Sequence, residues 1–253
     1  LLAYFRELSP QARDRMARAN LLSIAARDPK LIALTSAWMA HIDFNLNRFE
    51  SMASAVSHCL SSIESDDGTA ECRVSLVLGD AFLFAGAAAP SDAWYRRARS
   101  AAERTGDQAA IGALTYNRAA LHVAAARIRL LDARSPAPDV DLVWAEVKSA
   151  INYQATAQLK SLEHLLHTAR VGALVLQSRF DEALAAINEI LDSKDVSDAS
   201  AQGVTLRADR ALALAILGRT AEAQQDIDAS QQLCTDSFPP DDRILILHSM
   251  CEA

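Results

Sequence analysis

Arg207–Gly218 reads RADRALALAILG. Ala208, Leu212 and Ala215 fall on one helical stripe, with Ala211, Leu214 and Leu217 beside it. Spacings of three and four lay a continuous apolar strip along an α-helix. The strip ends at Gly218 and a second helical pattern follows, so Ala213–Gln231 reads as one helix pair, ALAILGRTAEAQQDIDASQ. The same pattern recurs at Ala173–Leu191 (ALVLQSRFDEALAAINEIL), Ala81–Arg99 (AFLFAGAAAPSDAWYRRAR) and His41–Leu60 (HIDFNLNRFESMASAVSHCL). A weaker copy runs from about Leu114 through the Pro136/Pro138 loop to about Ala155. Phe49, Ala88, Phe180 and Thr220 are the equivalent turn residues, spaced by 39, 92 and 40 residues. The spacing of 92 leaves room for one more unit carrying an insertion, where Pro136 and Pro138 sit.

Composition agrees with helix throughout. Of 253 residues 51% are hydrophobic, whereas Gly (8) and Pro (7) are scarce. Few breakers and much Ala and Leu favour helix, and no window alternates apolar and polar as a strand requires. Turn-forming clusters break the pattern at Arg27–Pro29, Ser65–Gly68, Thr105–Asp107, Ser135–Asp139, Ser193–Ser200 and Ser237–Pro240. Gly106 is placed to end a helix in the left-handed conformation. The expected fold is all-α, a right-handed α-solenoid of antiparallel helix pairs. Residues 1–30 would form an N-terminal cap, 31–232 about five helix pairs, and 233–253 a loop and the start of a further helix. Small residues such as Ala98, Ala183 and Ala223 would let helices approach, with Phe82, Tyr95 and Phe180 filling gaps between them.

These units resemble the tetratricopeptide repeat. LGDAFLFAG (Leu78–Gly86) is similar to the first helix of that family, and RFDEAL (Arg179–Leu184) and GRTAEA (Gly218–Ala223) resemble its turn into the second. AWYRRARSAAERTGD (Ala93–Asp107) looks like a second helix and the loop after it. Units near 40 residues, without a proline closing the second helix, are closer to the repeats of bacterial regulatory proteins. The sensor domain of the maltose-regulator type of transcription activator is one such case. The resemblance implies a concave groove lined by first helices. Transferred residue by residue, its groove positions are His41, Asn45, Arg73, Asp80, Asn117, Thr168 and Thr205, with Gly172 beside Thr168. Asn117 is the best single match. The two-cation, two-asparagine carboxylate clamp of some members is absent. Leu76, Leu83, Phe84, Leu121, Val175 and Leu212 would make the rest of the groove apolar, which suits a hydrophobic peptide or helix.

The functional expectation is therefore a non-catalytic protein- or peptide-binding scaffold without cofactor. The alternative is a ligand- or signal-peptide-sensing domain of a larger bacterial transcription regulator. A third reading, a metal-dependent enzyme, would centre on His164 and His167 in KSLEHLLHTAR. Those two lie at i and i+3 with Glu163 adjacent, but the spacing lacks the third ligand a catalytic metal requires. No phosphate-binding glycine loop or nucleophile elbow is present. The net charge of -7 disfavours nucleic acid. Residues 177–253 carry six Lys/Arg against fourteen Asp/Glu, an acidic end suited to a basic partner or to salt-sensitive homodimerisation. The Arg96/Arg97/Arg99/Arg104 cluster beside Trp94 and Tyr95 is the local exception. Cys59, Cys72, Cys234 and Cys251 lack metal-ligand spacing and are expected as free thiols in the cytoplasm. No stretch reaches 18 uncharged apolar residues, so no membrane partner is expected. A first residue of Leu1 rather than Met leads us to expect an excised domain or processed product.

Overall fold

A computed structural model describes residues 10–64, 66–131, 137–160, 162–193, 196–235, 238 and 240–253. The expected cap over residues 1–9 and Pro136 of the insertion lie outside the described residues. Every regular element among them is a helix. In chain order these are α1 (Pro10–Ala26), α2 (Pro29–Asn45), α3 (Phe49–Ser62), α4 (Gly68–Phe84), α5 (Ala88–Thr105) and α6 (Gln108–Leu130). There follow α7 (Val140–Thr156), α8 (Glu163–Leu176), α9 (Phe180–Ser193), α10 (Ala201–Ile216), α11 (Thr220–Leu233) and α12 (Pro240–Glu252). None is long and apolar enough to cross a membrane.

One turn is used again and again. Among the described residues the left-handed positions are Arg27, Asn47, Gly86, Gly106, Gln158, Ser178 and Gly218, with φ between 54° and 77°. Each sits just past a helix end. At each of them the next residue's amide reaches back to the carbonyl five residues earlier: Arg48 to Asp43, Ala87 to Phe82, Arg179 to Leu174 and Arg219 to Leu214 at 2.8–3.0 Å, for example. This is the Schellman closure, which satisfies carbonyls that the helix leaves open. Asn47, Gly86, Ser178 and Gly218 all lie two residues before the equivalent positions Phe49, Ala88, Phe180 and Thr220. These four positions share one backbone geometry, which Arg27, Gly106 and Gln158 adopt as well.

Five other helices start with side-chain caps, whereas α8 does not. Asp28, Asp67 and Asp107 accept the amides of Leu31, Ala70 and Ala110 at 2.8–3.1 Å, opening α2, α4 and α6. Asp139 and Ser200 do the same for α7 and α10. The helices entered from the repeated turn, α3, α5 and α11, lack such caps. At α9 and α11, Arg179 and Arg219 instead fork onto Glu182 and Glu222 one turn on.

The chain forms two compact units, divided at Leu114/Thr115 within α6. In the first, α2 packs on α1, α3 and α4, and α4 on α5. Its core is narrow because the facing residues are small: Ala33, Ala37, Ala40, Ala55 and Ala70 with Val56, Val74, Val77 and Cys59. Burial pushes the Cys59 thiol up to about 12. Gly79 admits the Tyr95 ring, since a Cβ there would stand 2.9 Å from it. Ser91 beside it donates to the Gly79 carbonyl at 2.8 Å.

In the second unit α8 packs on α7, α9 and α10, and α10 on α9, α11 and α12. Val123, Val143, Val147 and Leu166 join α6, α7 and α8. Val171, Leu174, Ala183, Ile187 and Leu206 join α8, α9 and α10. Gly172 lets α8 approach α6, for a Cβ there would lie 2.6 Å from Val123 Cγ1. Asp209 on α10 accepts a two-pronged pair from Arg127 on α6 at 2.9 and 2.5 Å, and Ser249 on α12 bonds both. The small residues Ala98, Ala183 and Ala223 and the filler Tyr95 are buried as expected, and Phe180 packs against the Leu184/Leu214 cluster.

Candidate binding surface

Two of the groove positions come together in the first unit. The α2–α4 contact brings the Arg73 guanidinium 4.0 Å over the Trp38 ring. Trp38 meets His41, one turn along α2, edge to face at 5.6 Å. Trp38 and Arg73 are half-buried, whereas His41 is 7% exposed. Burial, with the Arg73 charge adding to it, drives the His41 pKa down to about 3, so the imidazole is neutral near pH 7. A guanidinium stacked on indole is held flat and pre-oriented, and its edge suits a carboxylate or carbonyl. Asn45 is exposed at the end of α2 and donates to the His41 carbonyl at 2.8 Å.

Asp80 lies elsewhere. It is 2% exposed and accepts the Tyr95 hydroxyl at 2.6 Å, so it serves the α4–α5 contact rather than an open surface. It shares its repeat position with His41, Gly172 and Leu212, a slot that four different residues occupy.

In the second unit Thr168 on α8 accepts from Gln202 on α10 at 2.6 Å and donates to the His164 carbonyl. Asn117 is half-buried on α6. Thr205 is buried and returns its hydroxyl to the Ala201 carbonyl at 2.8 Å. Gly172 is a packing position. Leu76, Leu83 and Leu212, expected to line a groove, are core residues, and Leu121 and Val175 are half-buried. Phe84 is exposed and stacks near Phe44 and Phe49 at 6.2–6.3 Å. The periodicity marks these residues as apolar but does not say which side of a first helix faces a neighbouring pair.

His164 and His167 are both half-buried on α8. Among the described residues no three His, Cys, Asp or Glu side chains converge as a metal site would need. The arginine cluster is largely committed: Arg97 and Arg104 both bond Glu71 of α4, at 2.7 and 2.5 Å, and Arg99 pairs with Glu103. Arg97 also lies over Trp94 at 5.3 Å. Those two guanidinium bonds hold the Glu71 carboxyl below its usual range against the opposing effect of burial.

Sequence reasoning missed Trp38, although its place one turn before His41 puts it on the same face. It also missed the Glu146 carboxylate of α7, which pairs with Arg118 and His122 of α6. In comparison with known proteins, the chain matches no family model and no curated protein.

Proposed function

We propose that this chain is a non-catalytic, cytoplasmic interaction module. In this reading it is a right-handed α-solenoid of the tetratricopeptide type, binding a protein or peptide along its first helices. The observation that carries the reading is the recurrence of one left-handed turn at Asn47, Gly86, Ser178 and Gly218. Helices α2 and α4 pack directly, as do α8, α10 and then α12. Stacked helix pairs generate such neighbour-only contacts and present a row of first helices to a ligand. Trp38 and Arg73 supply the contact energy in the first unit, since aromatic and arginine side chains dominate binding surfaces. Asn45 supplies a polar anchor in the first unit, and Asn117 and Thr168 do so separately in the second.

A displayed random-peptide library tests this. The full chain is expected to enrich peptides with a shared motif. Trp38→Ala and Arg73→Ala should each weaken the selected peptide by roughly tenfold or more. Absence of any shared motif, or undiminished binding by both variants, would contradict the reading.

A further inference from the structure

Away from that row of residues, the first unit holds a cleft. It has a volume of about 250 Å³ between α1, α2 and α3 and is lined by Arg13, Asn20, Ser36, Ser51, Ser54 and His58, with Met39 and Ala55 as its apolar part. That is room for about eight waters, hence for a small molecule and not a peptide.

The polar lining is built, not incidental. Asn20 is buried and spends its amide nitrogen on Thr35 Oγ1 at 2.8 Å, Ser36 Oγ at 3.0 Å and the Ile32 carbonyl at 3.4 Å. Its side-chain carbonyl is left to accept. Ser36 Oγ also lies 3.5 Å from His58 Nδ1. Ser54 donates to the Glu50 carbonyl, which leaves its oxygen as an acceptor.

Arg13 sets the charge. Its Nε and Nη2 reach Asp43 at 3.2 and 3.4 Å, longer than the usual 2.7–2.9 Å of a charge-assisted bond. The Asp43 side chain is wholly buried, and the Arg13 side chain is 25% exposed. Among the described residues no protein acceptor meets the remaining nitrogen, Nη1, of this cleft-lining side chain. No carboxylate among them lines it, so a cation finds nothing to pair with. A dianion such as phosphate would add two negative charges beside Asp43 with one arginine between them.

We propose that this cleft binds a small hydroxylated monocarboxylate. The carboxylate takes the Nη1 edge of Arg13, the ligand hydroxyls donate to Asn20 and Ser54, and its carbon chain lies on Met39 and Ala55. The proposal is independent of the peptide reading, which concerns Trp38 and Arg73.

The test is an amide chemical-shift titration of the full chain with sodium threonate, a four-carbon hydroxy acid. Erythritol serves as its uncharged counterpart, and sodium phosphate and sodium chloride as anion controls. Saturable shifts at Ser36, Ser51, Ser54 and His58 with threonate, at least tenfold weaker with the other three, are expected. Arg13→Gln should weaken threonate at least tenfold. Ser51→Leu, which fills the cleft and leaves the Arg13–Asp43 pair intact, should abolish the shifts while the rest of the spectrum is kept. No saturable shift with threonate, erythritol or phosphate matching it, or wild-type binding by Ser51→Leu would each overturn the proposal.

Discussion

Each unit buries an aspartate against an arginine, and the two pairs differ in kind. In the first unit Arg13 holds Asp43 at 3.2 and 3.4 Å, with the arginine side chain 25% exposed. In the second, Arg127 grips Asp209 at 2.5 and 2.9 Å, with both side chains at most 8% exposed and Ser249 closing the network. The tight pair ties three helices, α6, α10 and α12, through both terminal nitrogens of the arginine. Of the loose pair, Arg13 lines a cleft, and its Nη1 meets no protein acceptor among the described residues. A buried charge pair thus acts as a staple where geometry and burial are complete, and as part of a surface where they are not.

The difference is broken most strongly at Asp209. Asp209→Ala strands a buried guanidinium and is expected to cost about 3–5 kcal/mol in urea unfolding. Asp43→Ala lets Arg13 turn to water and should cost less, about 1.5–3 kcal/mol. Equal losses at the two sites would erase the distinction.

Acid sharpens it further. His41 of the first unit and Leu212 of the second occupy the same repeat position. Unfolded chain binds a proton at His41 from about pH 6.5, while the folded chain does so only near 3. Below about pH 6.5 the unfolded state therefore holds more protons, and stability falls by up to about 1.4 kcal/mol per pH unit until pH 3. His41→Leu, which imports the residue of the second unit, should flatten that part of the urea-midpoint-against-pH curve. An unchanged slope would count against a buried neutral imidazole.

The helix-pair interfaces are filled differently as well. Gly79 faces Tyr95 in the first unit, where Val171 and Ile187 occupy the same slots in the second. Gly79→Val forces the ring aside and should cost about 1–3 kcal/mol. The triple variant Gly79→Val/Asp80→Leu/Tyr95→Ile, which also removes the buried carboxylate that the tyrosine hydroxyl serves, should recover part of this in thermal unfolding. A triple variant as weak as Gly79→Val alone would show that these slots are not interchangeable. The smallest expected effects are at the turns. Ser178→Gly should stabilise by about 0.5–1 kcal/mol, because serine is strained at positive φ, and Gly218→Ser should destabilise by a similar amount. Melting temperatures moving the same way in both would deny that the two turns are equivalent.

Much of this architecture is legible in the sequence for a physical reason. Helix periodicity and left-handed turns are local. The Ala208/Leu212/Ala215 stripe therefore shows within a single short window, and Gly86, Gly106 and Gly218 mark their own turns. Asn47 and Ser178 adopt the same backbone without glycine and are visible only through alignment to those copies. The binding surface is less legible. Arg73 approaches Trp38 from a different helix, and Arg127 meets Asp209 across 82 residues of chain. Asp80 and Thr205 have groove spacing, yet burial assigns them to packing. Side-chain direction across a helix–helix contact is tertiary information, which periodicity alone does not hold.

The most direct test of the central claim is hydrogen–deuterium exchange of the full chain with and without a peptide selected from the library. Slowed exchange is expected in the first helices, α2 and α4 or α8 and α10, with little change in α3, α5, α9 and α11. Protection concentrated on those second helices, with the first helices unchanged, would contradict it.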